Sequence, residues 1–321
     1  MQLAWVVLSA VLAIFAVAGA GALARRLDWL TEDADKSLLD TTVRLLTPCL
    51  NLSVTMSSAA LRRPENLHWP PLLGVATAVF GLGIAYLLTC FGRGVTGLTT
   101  PVEKRTFRFA AGTFNYGYIP IPLVSLLFPK DDTLGVLMVY MLGVDLTFWT
   151  LGVLVLTGGV GGAWWRKLLN PPSLATVAGV TLNLTGLARL VPGFLSDAIA
   201  MVGAAAIPVG IILVGAMTAD HLGETQWRAG TAPLASACLL RALVAPAALV
   251  VLAWLLPLSI ELKRVLVVEA AMPAAMFSIV VTRYYRGDGG LAVRIVVATS
   301  IVALLAVPLW LSAGMALLGL R

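Results

Sequence analysis

Arg108-Phe-Ala-Ala-Gly-Thr113-Phe-Asn115-Tyr116-Gly117-Tyr-Ile-Pro120-Ile-Pro122 is a mostly apolar stretch that cannot be one helix. Pro122 would clash with the carbonyl of Tyr118 and Pro120 with that of Tyr116, and neither proline has an N–H to donate. Gly117 tolerates the backbone angles such a break needs. The stretch therefore reads as a helix interrupted near its middle, with backbone polar groups left open. In lipid, open groups are tolerated only where they are buried in protein or line a wet cavity.

The rest of the chain says that lipid is the solvent. Of its 321 residues 59% are hydrophobic and 12% charged, against about 25% charged in a soluble globular chain. The mean hydropathy is +0.93, and the apolar excess runs the whole length. A disordered chain, a coiled coil and a soluble enzyme are excluded on composition. The net charge of +6 comes from basic residues placed singly or in pairs between apolar runs. That placement fits membrane topology better than nucleic acid. Cys49, Cys90 and Cys238 have no close partner and read as small buried hydrophobes. The two histidines, His68 and His221, are too few for a His-based metal centre.

A bilayer-crossing helix needs about 20 mostly apolar residues. Polar breaks divide the chain into ten such stretches, near 3–24, 37–57, 69–92, 106–128, 134–157, 171–191, 195–219, 230–256, 262–283 and 291–318. The first lacks a basic leader and is followed by Arg25-Arg26, so it reads as a span and not as a signal peptide. The odd-numbered connections carry Arg25, Arg26, Lys36, Arg93, Lys104, Arg105, Arg108, Arg166, Lys167, Arg228, Arg283, Arg286 and Arg294. The other side carries only Arg62, Arg63, Lys130, Arg189, Lys263, Arg264 and Arg321. This bias places the odd connections in the cytoplasm and both termini outside.

The Gly158-Gly159-Val160-Gly161-Gly162 stretch, with Trp164-Trp165, falls at the midpoint. It gives a first five-helix repeat over 1–157, a central cytoplasmic linker over 158–170 and a second repeat over 171–321. An odd number of spans per half makes the repeats inverted. Pro48 in span 2 matches Pro208 in span 7, and Pro120 in span 4 matches Pro273 in span 9. The expected fold is thus all-α and polytopic, with ten transmembrane helices and broken, crossing helices 4 and 9.

Span 9 repeats the interruption as Glu269-Ala-Ala-Met272-Pro273-Ala274-Ala-Met276. Two interrupted spans in corresponding positions point to a transporter binding site. The second half-helices, expected to start near Ile121 and Ala274, aim positive ends at the midplane and favour an anion. The first half-helices aim carbonyl ends there and favour a cation. The expected substrate contacts are Asn115, Tyr116, Gly117, Pro120, Pro122, Pro273, Ala274 and Asn51. Carboxylates inside spans normally face the bundle interior and carry function. Glu269 and Asp145, with Asn115 and Thr113, are therefore expected to couple transport to Na⁺ or H⁺. A Na⁺ ion would sit at Glu269, Asp145 and Asn115. The alternative is a structural pairing of the carboxylates with Arg44 or Arg241. No other metal and no cofactor is expected. Asn183 reads as a helix–helix contact.

These motifs resemble the auxin efflux carrier family of permeases, within the bile acid/sodium symporter-like group. The similar stretches are Leu46-Thr-Pro48-Cys-Leu, Phe114 to Leu123, Leu142 to Gly152, Gly203 to Pro208 with Gly215, Val268 to Ala275, and Arg283-Tyr284-Tyr285. The resemblance implies a ten-helix fold with a crossover of helices 4 and 9, and transport of organic anions. Auxin-like weak acids and dicarboxylates such as malate or malonate are the implied substrates. It also assigns Asn115 and prolines 120, 122 and 273 to the crossover. Relatives usually place an amide where this chain has Asp145, which favours cation coupling here. The bile-acid branch uses a span 9 glutamate as a sodium ligand, and Glu269 stands in that place.

The reading is a secondary transporter of small organic anions, coupled to H⁺ or Na⁺ and working by elevator-type alternating access. A bile-acid-type sodium symporter, or an uncoupled channel or sensor, is the alternative. An intramembrane enzyme is not expected, because no catalytic motif lies in the spans. The expected partners are the anion and the lipid bilayer, not nucleic acid, with a homodimer as one assembly left open. A bacterial inner membrane is the expected location.

Overall fold

A computed structural model of the chain describes residues 2–91, 93–129, 132–159, 170–224 and 230–320. Residues 160–169 of the central linker, including Trp164-Trp165, lie outside the described residues. The architecture is all-helical. The elements are α1 (Gln2–Arg26), α2 (Glu32–Thr41), α3 (Thr47–Ser57), α4 (Glu65–Phe91), α5 (Arg93–Thr96), α6 (Pro101–Gly112), α7 (Pro120–Leu127), α8 (Thr133–Thr147) and α9 (Val153–Thr157). They continue with α10 (Pro171–Thr185), α11 (Gly193–Ala204), α12 (Ala206–Glu224), α13 (Ala232–Leu239), α14 (Ala245–Leu255), α15 (Ile260–Ala270), α16 (Phe277–Tyr284) and α17 (Gly289–Leu317). Among the described residues there is no strand.

Six of the described helical runs are long and apolar enough to cross a membrane: Leu8–Arg26, Glu65–Phe91, Thr133–Thr157, Gly193–Asp220, Ala232–Leu255 and Gly289–Leu317. The other expected spans differ for physical reasons. Residues 32–57 are continuous helix but begin with Glu32, Asp33 and Asp35. The helix Pro171–Thr185 has 15 residues before Gly186 turns the chain at φ 74°. The two remaining stretches are interrupted. Their pieces, α6 with α7 and α15 with α16, are each too short to span alone. Large apolar side chains face outward on these helices, among them Phe91, Phe194, Met201 and Leu305. Only lipid covers such a surface without cost. The chain is a multi-pass membrane protein.

Prolines shape several helices without ending them. Thr42–Leu46 and Leu240–Val244 are π-helical turns placed just before Pro48 and Pro246. The wider turn absorbs the clash that a proline makes with the carbonyl four residues back. At Pro246 that carbonyl belongs to Ala242, and the Trp310 indole N–H donates to it at 2.8 Å.

The helices group by backbone contact. Helix α1 lies along α12, and α3 lies between α10 and α11. Helix α4 packs on α8 and α6, α17 on α6 and α13, and α15 on α14 and α8. Glycines let the backbones touch. A Cβ on Gly143 would lie 1.9 Å from the Pro71 carbonyl oxygen, and one on Gly215 would lie 1.8 Å from that of Ala18. Asn183 ties α10 to α3, donating through Nδ2 to the Thr55 and Ser58 carbonyls at 2.8 and 2.6 Å. The three cysteines are free, but they are not the buried hydrophobes expected. Cys49 and Cys238 are half-buried, and Cys90 is exposed on the apolar surface.

Gly143→Ala and Gly215→Ala should each destabilise the protein by about 1–3 kcal/mol, because the backbones must separate to admit the methyl. Gly83→Ala, whose Cβ meets nothing within 4 Å, should leave the thermal unfolding midpoint in detergent unchanged.

Candidate functional site

The first interrupted helix starts on a complete cap. Thr100 accepts from the Glu103 N–H, and the Glu103 side chain accepts from the Thr100 N–H at 2.9 Å. That N–H holds the Glu103 carboxyl below its ordinary range. Helix α6 then runs to Gly112 and stops, and residues 113–119 cross in a non-helical path. The break lies ahead of the prolines, so Pro120 and Pro122 are the first and third residues of α7. Pro120 pre-sets φ for a helix start and lacks an N–H that would be unpaired there anyway.

The second interruption runs from Ala271 to Met276. Helix α16 begins at Phe277, three residues beyond the expected start, so Ala274 is not a helix N-terminus. It lies in an extended segment that pairs with the first break. Phe114 and Ala274 form an antiparallel bridge. The Asn115 N–H donates to the Pro273 carbonyl at 2.9 Å, and the Ala275 N–H to the Thr113 carbonyl at 3.2 Å. The Ala274 N–H donates to Thr299 Oγ1 of α17 at 3.2 Å. The two breaks thus cross and pair backbone to backbone.

The carbonyl end of α6 has a further partner. Arg241, on the π-turn Leu240–Val244 and 5% exposed, donates through Nε to the Ala111 carbonyl at 2.8 Å. It also donates through Nη2 to the Gly112 carbonyl. Its guanidinium carbon lies 5.5 Å from the Phe114 ring centroid. A positive charge at a helix C-terminus and over an aromatic face is favourable. Gly81 on α4 makes the room. A Cβ there would lie 2.4 Å from the Gly112 oxygen and 2.8 Å from Arg241 Nη2.

Glu269, near the end of α15, is 2% exposed, and neither carboxyl oxygen has a hydrogen-bond partner. Asn115 is 3% exposed, and its side-chain nitrogen is likewise unpartnered. Thr113 turns its hydroxyl back to the Phe109 carbonyl at 2.9 Å. Asp145 accepts from Tyr116 Oη at 2.6 Å and from Ser173 Oγ of α10 at 2.9 Å. It therefore joins the first break to the start of α10. Asn51 donates to the Pro172 carbonyl at 3.1 Å and to Thr176 Oγ1 at 3.0 Å. Arg44 is exposed and pairs with Asp40 at 3.4 Å. Among the described residues neither arginine forms an ion pair with Glu269 or Asp145, so the alternative pairing is not seen.

Two open spaces adjoin the crossing. A shallow surface crevice is lined by Arg241, Ala271, Pro273 and Thr299. An open cleft of about 450 Å³ lies between α12 and α16, lined by Tyr118, Gly210, Met217, Met276 and Phe277. The N–H groups of Ile121 and Leu123 are taken by the Gly117 and Ile119 carbonyls at 3.0 and 3.2 Å. These two N–H groups at the α7 start are therefore engaged within the chain, and the Asn115 side-chain nitrogen is left without a partner. Sequence reasoning missed Thr299 and Ser173, ordinary hydroxyls in apolar runs. Arg241 was visible as a charge inside a span, but its partners were backbone atoms that no motif announces.

Interrupted helices that cross inside a polytopic helical protein are the form of a membrane transporter's binding site. Known proteins agree. Residues 160–311 match the family model described as membrane transport protein, the auxin efflux carrier family that the motifs resemble. An uncharacterized transporter of Methanothermobacter thermautotrophicus is 28% identical over 208 residues, covering 63% of this chain. The match spans 65% of that relative's length, just under two thirds.

Tyr116→Phe and Ser173→Ala each remove one donor from Asp145. Each should lower stability by about 1–3 kcal/mol. In a double-mutant cycle read by thermal unfolding in detergent, the two losses should be non-additive.

Proposed function

We propose that the chain is a secondary transporter of small organic anions working by alternating access. The observation that carries this reading is the backbone pairing of the two breaks, Asn115 N–H to Pro273 and Ala275 N–H to Thr113. Because the pairing is antiparallel, the starts of α7 and α16 face the crossing from opposite sides. Both helix dipoles, with the unpartnered Asn115 nitrogen, favour a carboxylate there. The open cleft at Tyr118, Met276 and Phe277 is the side from which the body of the substrate enters.

In this reading the four interrupted or short stretches join the six long helices as ten spans, in two inverted five-helix repeats with both termini outside. Helices α1, α3, α10, α11 and α12 form the scaffold. Helices α4, α6, α7, α8 and α13 to α17 form the moving bundle that carries the crossing. Asp145, bonded to Ser173, bridges the two groups and breaks that contact during the cycle. Glu269 carries the coupling cation, since a buried carboxyl with no protein partner is costly unless it binds a cation or a proton. Malate, malonate and indole-acetate are the first substrates to test, and a bacterial inner membrane is the setting.

Purified protein in liposomes should accumulate at least one of the three labelled anions under an imposed ion gradient, and preloaded substrate should accelerate entry by counterflow. Glu269→Gln should retain counterflow and lose gradient-driven accumulation. Absence of saturable counterflow with all three anions would overturn the carrier reading. Normal accumulation by Glu269→Gln would remove that residue from coupling.

A further inference from the structure

The carbonyl end of an interrupted helix is a place where a membrane protein can hold a bare cation. In this chain that place is taken by a side chain. Helix α6 ends inside the protein with the Ala111 and Gly112 carbonyls directed at the crossing, and both accept from the Arg241 guanidinium. The Phe109 carbonyl accepts from Thr113 N–H and Oγ1, each at 2.9 Å, and the Thr113 carbonyl accepts from Ala275 N–H. The carbonyls of Phe109, Ala111, Gly112 and Thr113 at the first break are therefore engaged by protein donors.

The carboxylate of Asp145 is also committed, since both its oxygens accept from hydroxyls. Among the described residues no group of three or more His, Cys, Asp or Glu could hold a metal ion. Arg241 also lines the crevice at the second break, beside Ala271, Pro273 and Thr299. It thus reaches from the end of one broken helix to the turn of the other. A sodium ion in the same place would face a buried positive charge, and like charges at close range repel strongly in a low-dielectric interior.

We propose that Arg241 is the resident cation of the crossing, holding by covalent attachment the position that a mobile sodium ion would otherwise take, so that transport by this chain does not require sodium. This rests on the transporter reading above and narrows its coupling ion. Gly81 belongs to the same device, since the missing Cβ leaves space for the guanidinium beside the Gly112 carbonyl. Arg241 is a positioning residue. It holds the end of α6 in place and leaves coupling to a proton.

The test has two arms. In detergent, the unfolding midpoint of the native protein should be the same in sodium chloride as in choline chloride at equal concentration. Arg241→Ala opens the two carbonyls, and its midpoint should rise in sodium relative to choline. A merely structural loss of packing would lower the Arg241→Ala midpoint equally in both salts, whereas Arg241→Lys keeps the charge and should stay sodium-indifferent. In liposomes, uptake of the anions should follow a pH gradient and should not change when potassium replaces sodium. Sodium-dependent stabilisation of the native protein, or sodium-driven uptake, would overturn the proposal and leave the carrier reading intact. Equal midpoints of Arg241→Ala in the two salts would also overturn it. If Arg241→Ala does not fold, the native protein and Arg241→Lys still decide, because a sodium response in either one is enough to overturn it. Failure of all counterflow would remove the carrier reading alone, since the thermal comparison needs no substrate.

Discussion

Breaking a helix inside a membrane exposes backbone groups that lipid cannot satisfy, at a cost of several kcal/mol for each group left open. This chain breaks two helices, and each break repairs the other. The Asn115 N–H meets the Pro273 carbonyl and the Ala275 N–H meets the Thr113 carbonyl. Neither interruption is stable alone, because its partners are the other's backbone. The surrounding helices complete the repair. Thr299 of α17 takes the Ala274 N–H, and Arg241 takes the two carbonyls at the end of α6. The packing of α17 on both α6 and α13 follows from where those two side chains have to be.

The same constraint explains why an arginine is tolerated in an apolar span. A charge at a helix centre costs about 2.5–3.5 kcal/mol on insertion scales. The carbonyl end of α6 carries the opposite partial charge, and its last carbonyls have no helical donor of their own. Placing the guanidinium there satisfies both parties. Glu269 has no such partner. That difference is the ground on which the proposal gives the coupling role to Glu269 and a positioning role to Arg241.

Much of this was legible in the sequence. The prolines announced both breaks, and matching them across the halves announced that they cross. The positions were less legible. Pro120 opens α7 because proline suits the first turn of a helix, so the disruption falls ahead of it, at residues 113–119. The Pro273 disruption extends to Met276, because Ala274 is held in a backbone pair and cannot start a helix. Asn51 stands out by its nearness to Pro48, but that its amide donates to Thr176 and the Pro172 carbonyl across the α3–α10 contact depends on residues with no signal in the sequence. Asp145 stands out as a carboxylate inside a span in any reading. That it touches both the break and α10 depends on Ser173, a residue that carries no signal of its own.

The glycines bear on how such a protein moves. Within each helix group the backbones meet directly, Gly143 on Pro71 and Gly215 on Ala18. An interface with no side chain between its backbones has nothing that can re-pack, so it resists sliding and moves as one body. Between the groups, at the level of the crossing, the contact is of another kind. A hydroxyl-to-carboxylate bond joins Ser173 to Asp145, and the Tyr118 ring rests against Gly210. A hydrogen bond can exchange its partner for water, and a ring can slide over a glycine, each at small cost compared with separating close-packed backbones. On the carrier reading proposed above, shear between the groups is the motion that these contacts permit. It is also the motion that would carry the crossing, with Asn115 and Glu269, past the cleft beside α12.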